Sequence, residues 1–411
     1  IASLKFRWNL SGTYQQVLPR YISIDSEGIE REFLSDYFDN PGGMLDAIFL
    51  KGYQWPFDPR KTLDQGSSLI DLLIYQETTI KGRRVFLDYT KNSTWGSTDG
   101  KLDFSLLGPE SYAYLEQSGT LFGTPIERLK AMNQPAIDLY LSNGIDLTRE
   151  YLEIAVCAQH NNGGLAGNLW WESNLSHFFP VGEVSGTHGV YRPGGSALNA
   201  GQVGSLRAAQ YIAANYTSDP PSLDDFLLTT HKQIEEKIQL GCNFISSIHP
   251  EAGNVKATRQ SLSKSMTRAG AHIRSLESVR DAAKQALDEF LALPKTTRLS
   301  SLDDLPMAFQ NRDLLLSQYV YLEAMANYME TGGGSRGSYL IHDKEGILPQ
   351  RGLPDIFRFR RENEELAKSI QEVTYKNGEC HFSWRRSKPL PEEDQWFETI
   401  WKAYREGEII R

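Results

Sequence analysis

The sequence predicts a mixed fold, α+β / α/β, in which a strand-bearing first part gives way to a helical second part. Three observations predict it. Short aromatic and β-branched runs recur up to about residue 158, and a glycine-rich stretch fills 159–200. From Asp224 the chain turns to long charged segments with helical period (224–240, 256–292 and 311–330).

The elements follow in order. Residues 1–30 read as strands, broken at Ser11-Gly12 and closed by Ser26-Glu27-Gly28. Residues 66–80 carry the apolar stripe of a helix, and Arg84 to Tyr89 reads as a buried strand. Thr124, Pro125 and Glu127 spell an N-cap, a first-turn proline and a capping-box partner, with Gly144 as the stop. Leu152 to Ala158 is apolar enough to be a strand buried on both faces. Phe178 to Val181 reads as a short buried strand delivering Gly182 and Glu183 at its carboxyl end, the edge where open α/β sheets bind ligands. Pro193-Gly194-Gly195 then leads into an Ala- and Gly-rich helix starting at Ser196.

Composition narrows the function. The 411 residues are 40% hydrophobic and 23% charged, ordinary for globular protein. A net charge of −9 with no basic stripe argues against nucleic acid as a partner. No apolar run reaches the ~18 residues of a membrane span, and no signal-peptide pattern opens the sequence. Cys157, Cys242 and Cys380 stand apart with no CxxC pair, so neither a metal site nor a disulfide framework is expected, and a reducing, cytoplasmic setting fits. Whether the chain forms a homo-oligomer stays open.

Between Gly182 and Leu198 each residue type has a chemical use. The Glu183 carboxylate can accept hydrogen bonds from the hydroxyls of a ribityl or ribose chain. Gly194 and Gly195 let backbone approach a flat ring, and the helix start aims N–H groups and a positive dipole end at what precedes it. Arg192 offers a planar fork suited to a carboxylate. Gly201 and Gly204 weaken the helix interior by up to ~1 kcal/mol each, which close packing would explain.

The run GEVSGTHGVYRPGGSAL resembles the flavin-site segment of succinate dehydrogenase and fumarate reductase flavoproteins, and CAQHNNGGLAG (157–167) is similar to a second stretch of that family. The helical segment SLSKSMTRAGAHIRSLESVRDAAKQALDEF resembles the family's helical domain, and 330–343 loosely echoes a further motif. The resemblance implies an FAD-dependent oxidoreductase acting by hydride transfer at flavin N5 on a small, carboxylate-bearing substrate. Gly182, Glu183, Gly194, Gly195, Ser196, Ala197 and Leu198 would hold FAD; Arg192 and His160 would hold substrate. It implies junction strands at 1–20, a capping domain at 21–150, the C-terminal part of a Rossmann-like FAD-binding domain at 151–220, a helical domain at 221–330 and an extension at 331–411. The family's GxGxxG fingerprint is not found in these residues, so the N-terminal FAD-binding segment is expected as a missing partner. The family's proton-delivering arginine has no clear counterpart; Arg20, Lys51, Arg60 and Lys61 are the candidates. A different class also has support: Trp170-Trp171-Glu172 could stack a sugar in a carbohydrate-active protein, and a non-catalytic flavoprotein-like subunit is a third reading.

Overall fold

A computed structural model describes residues 1–54, 56–158, 162–189, 191–192, 194–389, 392 and 395–409. The chain divides into two compact units. One comprises 1–159, 271–275 and 334–362; the other comprises 160–270, 276–333 and 363–411.

The first unit is built on a five-stranded antiparallel sheet. Its strands are β1 (Ala2–Ser3), β2 (Arg20–Ile24), β3 (Glu30–Arg31), β4 (Arg84–Asp88) and β5 (Leu152–Ala155), in the order β1-β5-β4-β2-β3. The expected two-face burial of 152–158 is corrected here. β5 ends at Ala155 and alternates: Leu152 and Ile154 are buried, while Glu153 forms a two-pronged pair with Arg84 at 2.8 and 2.6 Å. In an antiparallel sheet only one face need meet the core, and Glu153 marks the other.

Three helices cover the buried face: α1 (Pro41–Leu50), α2 (Leu69–Tyr75) and α3 (Pro125–Ser142). Helix α2 runs on into a π-helical turn, Gln76–Ile80, so the apolar stripe at 66–80 is helical but not one regular helix. Helix α3 has the expected capping box at Thr124 and Glu127. It is kinked at Asn133, whose φ of −159° and ψ of 72° are non-helical: Pro135 cannot donate in the ladder, and Asn133 Oδ1 accepts from Ala136 N–H at 3.3 Å, capping a second helical segment. Its end is closed by Ile145 N–H donating to the Tyr140 carbonyl at 2.9 Å, just past Gly144. Strands β6 (Ile273–Arg274) and β7 (Leu340–Ile347) form a short parallel pair. The 256–292 segment is therefore not one helix, as its period suggested: the chain leaves the helical unit at 271–275 to make this pair.

Three cations sit deep in this unit, among them Lys51 on Asp71 at 2.7 Å. Arg128, 0% exposed, donates to the carbonyls of Val17 (3.0 Å), Phe122 (3.1 Å) and Gly123 (2.7 Å) and to Asn92 Oδ1 (2.9 Å). Arg20 is held by Asp88 (2.8 Å), Glu30 (2.7 Å) and Glu32 (3.4 Å).

The second unit is mostly helical: α4 (Gly194–Asn215), α5 (Leu223–Ser246), α6 (Val255–Gly270), α7 (Leu276–Thr296) and α8 (Leu305–Glu330). Phe244, Val255, Leu262, Leu293, Ala308 and Leu315 form a core among the last four. A hairpin, β8 (Ser369–Lys376) with β9 (Glu379–Arg386), lies on α8, where Asn327 Oδ1 accepts from Gln371 (2.9 Å) and from the Trp384 indole (3.2 Å). Helix α9 (Trp396–Arg405) reaches α4 through Tyr404, which accepts from Gln210 at 3.0 Å. Among the described residues no helix is long and apolar enough to cross a membrane, and no group of His, Cys, Asp and Glu is arranged to hold a metal.

Replacing Arg128 by Met strands four acceptors in the core. It should cost roughly 3–5 kcal/mol in urea unfolding, and a loss under about 1 kcal/mol would show that water replaces the guanidinium. Burial beside Tyr75 pushes the His272 imidazole from 6.5 down to about 4, with Asp71 opposing the shift. Neutral imidazole is thus the folded form, and its stabilising effect is complete above pH 6.5. As pH falls from 6.5 to 4 the unfolded chain takes up a proton that the folded chain refuses, and stability should drop by on the order of 2–3 kcal/mol. His272→Asn should flatten that window of the pH–stability curve; an unchanged slope would refute the assignment.

Candidate active site

The residues singled out between Gly182 and Leu198 lie in the second unit. Phe178 to Val181 does not form the expected strand. Phe178 is 48% exposed and the chain turns at once into a 3₁₀ segment, Gly182–Val184, so Glu183 stands on a tight turn rather than at a strand's carboxyl end. The buried strand would have needed apolar neighbours, and Pro180 denies it a ladder donor.

That turn is pinned by the 162–167 stretch. Leu165 N–H donates to the Val184 carbonyl at 2.7 Å and Gly164 bridges to Ser185 in antiparallel sense. The approach requires glycine: a Cβ on Gly164 would lie 2.1 Å from the Val184 carbonyl oxygen. Two stretches that looked related only by order in the sequence are thereby joined backbone to backbone.

Their side chains then converge. Arg192 is ion-paired with Glu183 Oε1, and its Nη1 donates to Asn162 Oδ1 (2.8 Å) and to the Gly189 carbonyl (3.1 Å). His188 lies on the other side of the carboxylate, its Nδ1 4.0 Å from Glu183 Oε2. The Arg192 side chain is 19% exposed and that of Glu183 44%. Asn162 was not anticipated; its one sequence signal is its place immediately before Gly163-Gly164. His160, the other expected substrate ligand, lies outside the described residues.

Helix α4 begins at Gly194, two residues earlier than expected, so Gly194 and Gly195 are its first turn and not the loop before it. The first N–H groups of any helix lack acceptors within it. A Cβ built on Gly194 or Gly195 meets nothing within 4 Å, Ser196 is exposed, Ala197 is half-buried and Leu198 is 77% exposed. A carboxylate and a guanidinium, followed in the chain by a helix start with an unhindered approach and an exposed apolar side chain, make a donor set that fits a flavin.

The glycines inside α4 have the close neighbours their cost implied. Gly201 lies against Gly182, and a Cβ on Gly204 would fall 2.7 Å from the Trp171 indole. Trp170 stacks on Tyr211 at 5.2 Å between centroids, and the Arg207 guanidinium sits 4.8 Å from the Trp170 ring and 5.9 Å from Trp171. Glu172 accepts from the Tyr216 hydroxyl and from His177 N–H (3.1 Å), and the tyrosine's hydrogen bond holds its carboxyl below the ordinary range. These rings pack the loop onto α4, a structural role that accounts for them without a sugar.

In the first unit, the cations proposed as proton carriers are committed to carboxylates: Arg20 as above, Lys51 to buried Asp71 (2.7 Å) and Arg60 to Asp58 (2.7 Å). Lys61 is half-buried in the same turn as Arg60.

No protein-family model matches the chain. Over 215 residues it is 30% identical to a fumarate reductase (CoM/CoB) subunit of Methanothermobacter marburgensis, covering 51% of this chain and 37% of that one. Over 80 residues it is 36% identical to an uncharacterized FAD-dependent oxidoreductase of Methanocaldococcus jannaschii, covering 19% of this chain and 15% of that protein. Solved structures of a quinol–fumarate reductase with menaquinol and of an E. coli quinol fumarate reductase variant align with TM-scores of 0.47 and 0.48 at 14% identity, over 91% and 92% of this chain and 56% of each. The matched stretches thus span well under half the length of the curated relatives, and in sequence the chain is similar to proteins of the fumarate reductase and FAD-dependent oxidoreductase kind.

Proposed function

We propose that the chain is part of an FAD-dependent oxidoreductase acting on a small substrate that bears a carboxylate. The observation that carries the reading is the convergence of Glu183, Arg192 and Asn162 beside the start of α4, produced by the Gly164–Ser185 pairing. The curated relatives, one named for fumarate reductase and the other for FAD-dependent oxidoreductase, support the same cofactor. On this reading residues 151–220 complete an FAD-binding domain, 21–150 form a cap and 221–330 a helical domain.

Bound flavin would supply hydride transfer at N5. The protein's own groups do the rest. The Glu183 carboxylate accepts hydrogen bonds from ribityl hydroxyls, and the N–H groups of Gly194, Gly195 and Ser196 favour negative charge before the helix. Ala197 and Leu198 contribute apolar contact at the same end. Arg192 takes the substrate carboxylate in a two-pronged grip, fixing the reacting carbon, with His160 as its proposed companion. Of the four cations considered for proton delivery, Arg20 and Lys51 already neutralise buried carboxylates in the first unit. Arg60, whose side chain is 62% exposed, and Lys61 remain as candidates.

The intact protein, gently purified, should be yellow with an absorbance band near about 450 nm; a colourless, flavin-free preparation would overturn the assignment. Glu183→Gln should weaken FAD binding about ten- to a hundredfold, as loss of a charged acceptor predicts. Arg192→Ala should lower kcat/KM by roughly two orders of magnitude or more, mainly through KM. If Arg192→Ala left the kinetics untouched, a non-catalytic flavoprotein-like subunit would be the better description.

A further inference from the structure

Among the described residues, Asn162 is the neutral side chain that reaches Arg192 from outside its own loop. Its Oδ1 accepts from Arg192 Nη1 at 2.8 Å, and the Gly189 carbonyl accepts from the same nitrogen at 3.1 Å. Nη1 of a guanidinium carries two hydrogens, so these two acceptors fill it. Nη2 donates to Glu183 Oε1, which leaves one hydrogen on Nη2 and the single hydrogen on Nε uncommitted among the described residues.

A guanidinium can grip a carboxylate along either of two edges, Nη1 with Nη2 or Nε with Nη2. With Nη1 filled the first edge is closed, and a two-pronged grip has to use the second. Glu183 need not be given up for it. The two edges face different directions, so the choice between them decides from which side a carboxylate arrives and where its attached carbon stands.

Asn162 is anchored well enough to make that choice. It lies two residues before Gly164, where a Cβ would fall 2.1 Å from the Val184 carbonyl oxygen, and Leu165 N–H donates to the same carbonyl at 2.7 Å. The Asn162 backbone is therefore referenced to the turn that carries Glu183. Its amide is oriented as well: turned over, it would set an NH2 donor against a group that has no acceptor. A neutral acceptor also suits the place. An aspartate there would add a second carboxylate to a guanidinium already paired with Glu183 and would repel an incoming one.

We propose that Asn162 is a positioning residue that closes the Nη1 side of Arg192 and so directs a substrate carboxylate onto the Nε–Nη2 edge. This rests on the reading of Arg192 as the carboxylate ligand of a flavin site.

The test uses the intact protein with bound FAD, and malonate as a dicarboxylate that cannot be dehydrogenated. Malonate affinity is read from its effect on the flavin spectrum, and FAD affinity from flavin fluorescence. Asn162→Ala should raise the malonate Kd about tenfold or more, as loss of a hydrogen bond to a charged group predicts, and change the FAD Kd by less than about twofold. In an Arg192→Lys background, where an ammonium keeps the charge but has no edges to choose between, the same substitution should cost less than about threefold. A merely structural asparagine would weaken FAD and malonate together, and one that touches malonate directly would keep its full effect beside lysine. If Arg192→Ala abolishes malonate binding while Asn162→Ala leaves it unchanged, weakens FAD equally, or costs as much in the lysine background, the proposal is overturned and the flavin reading stands. If malonate binds wild type and Arg192→Ala alike, the carboxylate role of Arg192 falls and the role of Asn162 with it. A wild-type protein that binds no FAD overturns the flavin reading and this inference together.

Discussion

The candidate site depends on a backbone contact, in which Gly164 lies against the turn at Val184–Gly186 so closely that no side chain could be accommodated between them. The contact sets where Asn162 stands relative to Arg192, and thereby the angle at which the guanidinium meets Glu183. It also places that turn against Gly201 of the helix whose first turn is Gly194-Gly195. Widening it by even one methyl group would move the carboxylate relative to the helix start, and in a site built from hydrogen bonds such a displacement costs more than the methyl itself.

The two units treat charge differently. In the first, the buried cations are locked: Arg20 among three carboxylates, Lys51 on buried Asp71, and Arg128 on neutral acceptors. Each arrangement compensates a burial cost, and breaking any of them leaves an uncompensated group. In the second unit the Glu183–Arg192 pair is partly exposed, and the histidine beside it is unsatisfied. An ion pair open to solvent is weakly held.

Much of this was legible in the sequence, and the rest was hidden for identifiable reasons. The capping box at Thr124 and the helix that follows are local patterns and formed as read, although Pro135, equally visible, gave the kink that the apolar stripe concealed. The Gly- and Arg-bearing run that resembled a flavin segment does bring Glu183 and Arg192 together. The strand expected at 178–181 failed because apolar content is not strand pairing: Phe178 is exposed, Phe179 packs on the rings of Tyr211 and Tyr216, and the run ends in a turn. Asn162 was beyond reach for a different cause: it matters through a partner 30 residues away, which leaves no trace in composition or spacing.

The bond between Glu172 and Tyr216, 44 residues apart, clips both ends of the stretch that carries Glu183, Arg192 and the helix start, and Trp171 against Gly204 adds a second fastening beside it. Closing a loop of that length carries an entropy cost that rises only slowly with length, so two such fastenings suffice to make it a cooperative element in its own right. The consequence concerns local opening. The glycine contact, the ion pair and the helix start should exchange their amide protons together, as one unit. Loosening the Glu172–Tyr216 clip would open the whole stretch at once, where a substitution in the helical core around Phe244 would leave it closed.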